Sequence, residues 1–189
     1  MPQIFAGADR IKKMYLGADR IKKAYIGSQL IYTAAVAMTN LAGTEAGTCF
    51  HTADASTYGT SVSHNLLTVA STAGHRYFIR WSLGQWGEFD GGPTNQLTLN
   101  PDGTVLASSG GKASEDGMAI VTASGGTFTL NHNGWMKTFA GYSAGLKAAL
   151  YMVVDITQYE ADTGTTYTPE SFWEAIGSAV FYGGKEFDI

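Results

Sequence analysis

The stretch "QLTLNPDGTVLASS", residues 96–109, reads as two short strands around a tight turn. Asn100-Pro101-Asp102-Gly103 supplies the turn. Proline presets one backbone angle, aspartate bonds its own backbone, and glycine accepts a positive φ. The same signal continues outward in both directions. "HNLLTVAS" (64–71) and "HRYFIRWSLGQW" (75–86) read as strands, with Tyr77, Ile79 and Trp81 on one face, the core side. "MAIVTASGGTFTLNHNG" (118–134) reads as a second hairpin turning at Ser124-Gly125-Gly126, and "LKAALYMVVDITQY" (146–159) as one long apolar strand. Several strands at short spacing with glycine-rich turns predict an all-β protein whose main unit is a β-sandwich of the jelly-roll type.

One helix is expected near the end, in "TPESFWEAIG", residues 168–177. Thr168 is suited to the N-cap, Pro169 to the first helical position and Glu170 to the first turn, and Gly177 would close it. Phe172 and Ile176, four apart, would form its buried side with Trp173 beside them.

The start of the chain is organised differently. "GADRIKK" occurs at residues 7–13 and again at 17–23, and "IGSQLIY" opens a third copy at 26–32. The runs alternate, with Ile11, Lys13 and Tyr15 opposed to Lys12, Met14 and Leu16, then Ile21, Lys23 and Tyr25 opposed to Lys22, Ala24 and Ile26. Gly17-Ala18-Asp19-Arg20 and Gly27-Ser28-Gln29-Leu30 read as turn-like links. A meander of strands this short is marginal alone, so residues 1–33 are expected to pack on a partner or on copies of themselves. The attachment surface is assigned to Ile11, Lys13, Tyr15, Ile21, Lys23, Tyr25, Ile31 and Tyr32. Residues 34–61 are small and weakly patterned and read as a connector, leaving 62–189 as the sandwich domain.

Composition narrows the function classes. Residues 1–33 carry a net charge of +4, leaving −8 for the remainder of a chain whose total is −4. The basic residues sit inside an apolar alternation and read as a solvated strand face, while the acidic body would repel phosphate, so nucleic acid is not an expected partner. Cys49 is alone, which rules out an intrachain disulfide. No run approaches the ~20 apolar residues of a membrane-spanning helix, and the N-terminus lacks a signal peptide's uninterrupted apolar stretch. Folding in a cytoplasm is the expectation.

Catalytic motifs are thin. "GYSAG", 141–145, matches a nucleophile elbow, but all four histidines precede Ser143 and no strand–helix alternation surrounds it. Cys49 and His51 lack a second pair at zinc spacing, so no metal or cofactor is expected. Glu88 and Asp90 flank Phe89 in a loop and could mark a glycosidase only if other acids approached them. No enzyme activity is expected.

Aromatic residues make a better case for glycan binding, because sugar rings stack on Trp and Tyr while amides bond the hydroxyls. Trp81, Trp86, Phe89 and Asn95 form one group and His132, Asn133, Trp135 and Tyr142 another. Trp86 and Trp135 fall in loop-like contexts. Trp86, Trp135, Asn133 and Tyr142 are therefore the candidate glycan-binding residues.

Several segments resemble proteins of bacteriophage tails and fibres. The "IKKxYxG" repeats ending in "IGSQLIY" are similar to short N-terminal repeats of phage virion structural proteins. "AGHRYFIRWS" (Ala73–Ser82) resembles the "GHKYYI" strand of carbohydrate-binding-like sandwiches in tail proteins. "MVVDITQYEADTGTTYTPESFWEAI" (152–176) looks like the end of that module, where a "DLTQ" strand precedes a loop and a short helix. The order matches a jelly roll over about residues 62–182, although the family's "FGxGNEP" is replaced at Tyr159–Thr165. The resemblance implies a fold and a virion setting and transfers no site residue. In that setting other virion proteins are the expected partners, a homo-oligomer is expected with a trimer favoured, synthesis is in the host cytoplasm, and a host-surface glycan is a candidate ligand. The alternatives are a capsid decoration or head-fibre protein and, from another class, a glycan depolymerase.

Overall fold

The computed structural model describes residues 5–6, 9–10, 14–16, 19–21, 23–26, 28–42, 47–53, 59–109, 115–139 and 141–189. Three hairpins come first: β1 (Phe5–Ala6) with β2 (Asp9–Arg10), β3 (Met14–Leu16) with β4 (Asp19–Ile21), and β5 (Lys23–Ile26) with β6 (Gln29–Thr33). Their register is the same at ten-residue intervals. Phe5 pairs with Arg10, Tyr15 with Arg20, and Tyr25 with Leu30. The repeat unit is therefore a hairpin that recurs every ten residues. Asp19, Arg20, Gln29 and Leu30, expected in links, are strand residues.

The remaining strands are β7 (Ala35–Asn40), β8 (Gly47–Ala53), β9 (Thr60–Ser71), β10 (Arg76–Gly87), β11 (Thr94–Asn100), β12 (Thr104–Ser109), β13 (Glu115–Thr122), β14 (Gly126–Met136), β15 (Ala144–Asp155) and β16 (Gly183–Asp188). One sheet runs β12-β11-β14-β9. The other runs β13-β10-β15 and continues through β7 to β16, with β8 also on β15. All pairings are antiparallel. Taken together, β8-β15-β10-β13 facing β9-β14-β11-β12 has the strand order of a jelly roll.

Two expectations change. Residues 34–61, read as a connector, contain β7 and β8, and β8 is the first strand of the jelly roll. Their small residues hid them, since Ala and Thr give little period-two contrast. Residues 118–134 are not a hairpin. β13 pairs with β10 while β14 pairs with β11 and β9, so the chain crosses between sheets here. Gly125 and Gly126, with φ of 98° and 77°, supply the left-handed backbone of that crossing.

Between the sheets, Tyr77, Ile79, Trp81 and Leu83 of β10 meet Leu97, Phe128, Leu130, Leu150 and Val153 in one apolar core. The alternate residue Phe78 faces the other way, into a second core with Met152, Val154, Ile156, Tyr159, Phe172 and Phe187. Two helices close that side: α1 (Thr157–Thr163) and α2 (Pro169–Ala175).

Only α2 was expected, and β15 ends at Asp155, short of the expected Tyr159. The carboxylate of Asp155 accepts the Thr157 N–H at 3.0 Å and turns the chain into α1. Arg76 pairs with Glu160 and also donates to the Tyr167 carbonyl at 3.1 Å, holding α1 to β10. α2 begins as expected. The Thr168 side chain accepts from the Ser171 N–H at 3.2 Å, and the Ser171 hydroxyl accepts from the Thr168 N–H at 2.9 Å. Thr168→Ala should lower stability by about 1 kcal/mol in denaturant melts, the usual cost of an N-cap.

Asp155 also carries a pH dependence. Burial alone would push its carboxyl up, but hydrogen bonds from His75, at 2.6 Å, and from Thr157 outweigh it and leave it below the ordinary value. A depressed carboxylate stabilises fully above its unfolded value of about 3.9 and loses that contribution as pH falls through the folded value. Denaturation measured from about pH 6 to pH 2 should therefore show Asp155→Asn with a flatter acid limb than the parent. An identical acid limb would show that the pair contributes nothing. Asp155 is partly exposed, so solvent screening keeps the difference small.

Candidate functional site

β14 alternates cleanly. Phe128, Leu130 and His132 are buried against the core, and Thr127, Thr129, Asn131, Asn133 and Trp135 point outward from the four-stranded sheet. The register places Trp135 between Ser61 of β9 and Thr94 of β11, and Asn133 between Ser63 and Gln96. Side chains knit across the strands. Ser63 donates to the Asn133 Oδ1 at 3.0 Å, and the Asn133 amide donates to the Thr98 hydroxyl at 2.6 Å. The Gln96 amide donates to Ser108 of β12 at 3.3 Å. Trp135 ends this row, 38% exposed, with Gly59 against its indole. A Cβ at position 59 would lie 3.0 Å from the indole nitrogen, tighter than ordinary contact, and the φ of 146° at this position favours glycine.

None of the four strands contains Asp, Glu, Lys or Arg. The opposing sheet carries Arg76, Arg80, Glu115, Asp116, Lys147 and Lys185 in its strands. Among the described strands of the sandwich, the charged residues are therefore confined to one sheet.

The four candidate glycan-binding residues do not form one site. Asn133 and Trp135 share the face just described. Trp86, also 38% exposed, alternates with buried Gln85 on β10 and so lies on the outer side of the six-stranded sheet. Tyr142 sits in the connection between β14 and β15, with its ring edge-on to Phe139 at 6.5 Å. Both tryptophans, expected in loops, are strand residues. Trp81 is core.

Asn95 and His132, grouped with the candidate binders, have a different task. Both are fully buried. The Asn95 amide donates to the carbonyls of Gly84, at 2.9 Å, and Lys147, at 3.2 Å, on the facing sheet. Its Oδ1 then has the acceptor role toward His132 Nε2 at 2.7 Å, which assigns the proton to Nε2. This buried link pins the two sheets together under the polar face. The face residues Ser63, Gln96 and Thr98 were missed because no aromatic marks them. Their signal was the unbroken run of uncharged polar residues at period two.

Of the attachment residues, Ile11 and Lys13 lie outside the described residues. Tyr15 and Ile21 fall on β3 and β4, Lys23 and Tyr25 on β5, and Ile31 and Tyr32 on β6. Lys23 is exposed, and so is Tyr25, at 56%.

The chemistry motifs are placed as follows. Ser143 leads into strand β15, whereas a nucleophile elbow leads from a strand into a helix. Asp90 is paired with Lys137, and the Glu88 N–H donates to the Ser143 carbonyl at 3.4 Å. Cys49 and His51 lie on β8. Among the described residues no group of three or more His, Cys, Asp or Glu could hold a metal ion, and no helix is long and apolar enough to cross a membrane. A cleft bounded by Pro101, Val121, Ala123 and Phe128 has room for about one water.

No protein family matches the chain, and no curated protein matches it. Among solved structures, a chain from the structure of infectious bursal disease virus Gx strain is similar at 12% identity and a TM-score of 0.25. The similarity covers 77% of this chain and 38% of that one, so the present chain spans well under half of that protein.

Proposed function

We propose that the protein is a non-catalytic structural component of a bacteriophage virion, of the tail or fibre type. It docks through its N-terminal hairpins and displays the jelly roll outward to bind a host-surface glycan. The observation that carries this reading is the recurrence of one hairpin register at residues 5–10, 15–20 and 25–30. Isolated two-stranded hairpins of this size are marginal in water. Three in succession, the last presenting Lys23 and Tyr25 to solvent, fit a surface that is completed by other chains. The sequence resemblance to phage repeats points the same way. Jelly rolls recur in viral shell and lectin domains, an analogy that speaks to fold before function.

Sister chains would supply the missing neighbours, and a closed trimer is the proposed assembly. Repetition on one particle would raise weak glycan affinity through avidity. The test is deletion of residues 1–33. The truncated chain should fold as a sandwich yet fail to join particles, and normal incorporation would overturn the docking role. Release of reducing ends from host polysaccharide would contradict the non-catalytic reading and favour a depolymerase.

A further inference from the structure

We propose that the glycan-binding surface is the outer face of the four-stranded sheet, and that its ligand is an uncharged polysaccharide lying across the strands. This rests on the display reading above and names the site and the ligand class.

Three observations meet on this face. The first is charge. A sheet face that is merely solvated ordinarily carries Lys, Arg and Glu, yet β9, β11, β12 and β14 have none. An acidic polysaccharide would find no cation here and a basic one no carboxylate, so the complementary partner is neutral. The second is the polar grid. Hydroxyl and amide groups of Ser63, Gln96, Thr129 and Asn133 stand on one side of adjacent strands. Ser63, Asn133 and Gln96 follow one another at about 4.8 Å across the strands, and Thr129 lies about 13 Å along β14 from Asn133. Such groups both donate and accept, as sugar hydroxyls do. The third is Trp135. It is the large aromatic at the end of the row, partly open, beside Gly59, and an exposed indole offers a surface on which a sugar ring stacks.

Another protein would be expected to need several apolar anchors in a dry centre, whereas the centre of this face is amide and hydroxyl. Trp86 belongs to the other outer face and plays no part.

The test is affinity electrophoresis of the full chain through gels containing dextran, mannan or galactan, beside gels containing hyaluronan or alginate. Four variants are run: Trp135→Ala, Asn133→Ala, Thr129→Lys and Trp86→Ala. Each is first checked by thermal melting, and Thr129→Lys keeps the test open if Trp135→Ala unfolds, because it adds a charge at an outward position. Retardation is expected in at least one neutral gel and in neither acidic gel. The three face variants should lose it at least tenfold, while Trp86→Ala keeps it. Retardation that survives all three face substitutions, or that appears only in acidic gels, overturns this inference and leaves glycan display standing. Absence of retardation in every gel overturns both.

Discussion

Replacing Asn40 by leucine is expected to lower stability by on the order of 3–5 kcal/mol. Asn40 ends β7 and is buried. Its amide donates to the Tyr151 and Phe181 carbonyls, both at 2.9 Å, and its Oδ1 accepts from Ala42 N–H at 3.1 Å and Val153 N–H at 3.0 Å. On that edge of β15 the pairing with β8 ends at Leu150 and β7 pairs only at Val154, so Asn40 serves the backbone of Tyr151 and Val153 in between. Leucine would leave four backbone groups without this partner, each costing ~1–3 kcal/mol when fully buried. Some of these bonds are only partly buried, which places the total below the simple sum. Urea denaturation of the variant measures it, and a loss under about 1 kcal/mol would show that water or a shifted strand replaces the side chain.

Phe78→Ala should be comparably damaging, by about 3–5 kcal/mol. The ring is fully buried on the helix side of β10. It lies 4.9 Å from the Phe172 ring and stacks against Trp173 at 6.3 Å, and Arg80 covers the Trp173 ring at 4.2 Å. Removing Phe78 opens a cavity under α2 and loosens the attachment of both helices to the sheet. The melting of helix-specific circular dichroism should then precede the melting of the sheet signal. Unchanged stability would mean that the second core collapses to fill the space and that the helices are held mainly by the Arg76–Glu160 pair.

The parts of the fold legible in the sequence were those fixed by local chemistry. The turn at 100–103, the two faces of β10 and the Thr168 cap each depend on residues within a few positions. What escaped depends on distant partners. β7 and β8 are strands because β15 and β16 pair with them, and their sequences, rich in Ala, Thr and Gly, announce it weakly. α1 escaped because Ile156 and Tyr159 continue the apolar pattern of β15, and the strand ends where the Asp155 carboxylate accepts the Thr157 N–H. The segment at 118–134 has good turn residues but changes sheet, which no local pattern encodes.

The candidate site divides along the same line. Trp135 and Asn133 were legible by residue type. That Trp86 points to the other side, and that Asn95 and His132 turn inward, follows from strand parity and from which sheet each strand joins. The repeat was legible as a repeat. Its phase was not, because "DR" after glycine looks like turn and is the returning strand.

The most direct test of the central claim is immunogold imaging of density-purified phage particles with an antibody against the jelly roll. Label on the tail or its fibres, lost when residues 1–33 are deleted, is the predicted result. Particles free of label, with the protein left in the lysate, would contradict a virion role, and label spread as a lattice over the head would contradict the tail assignment.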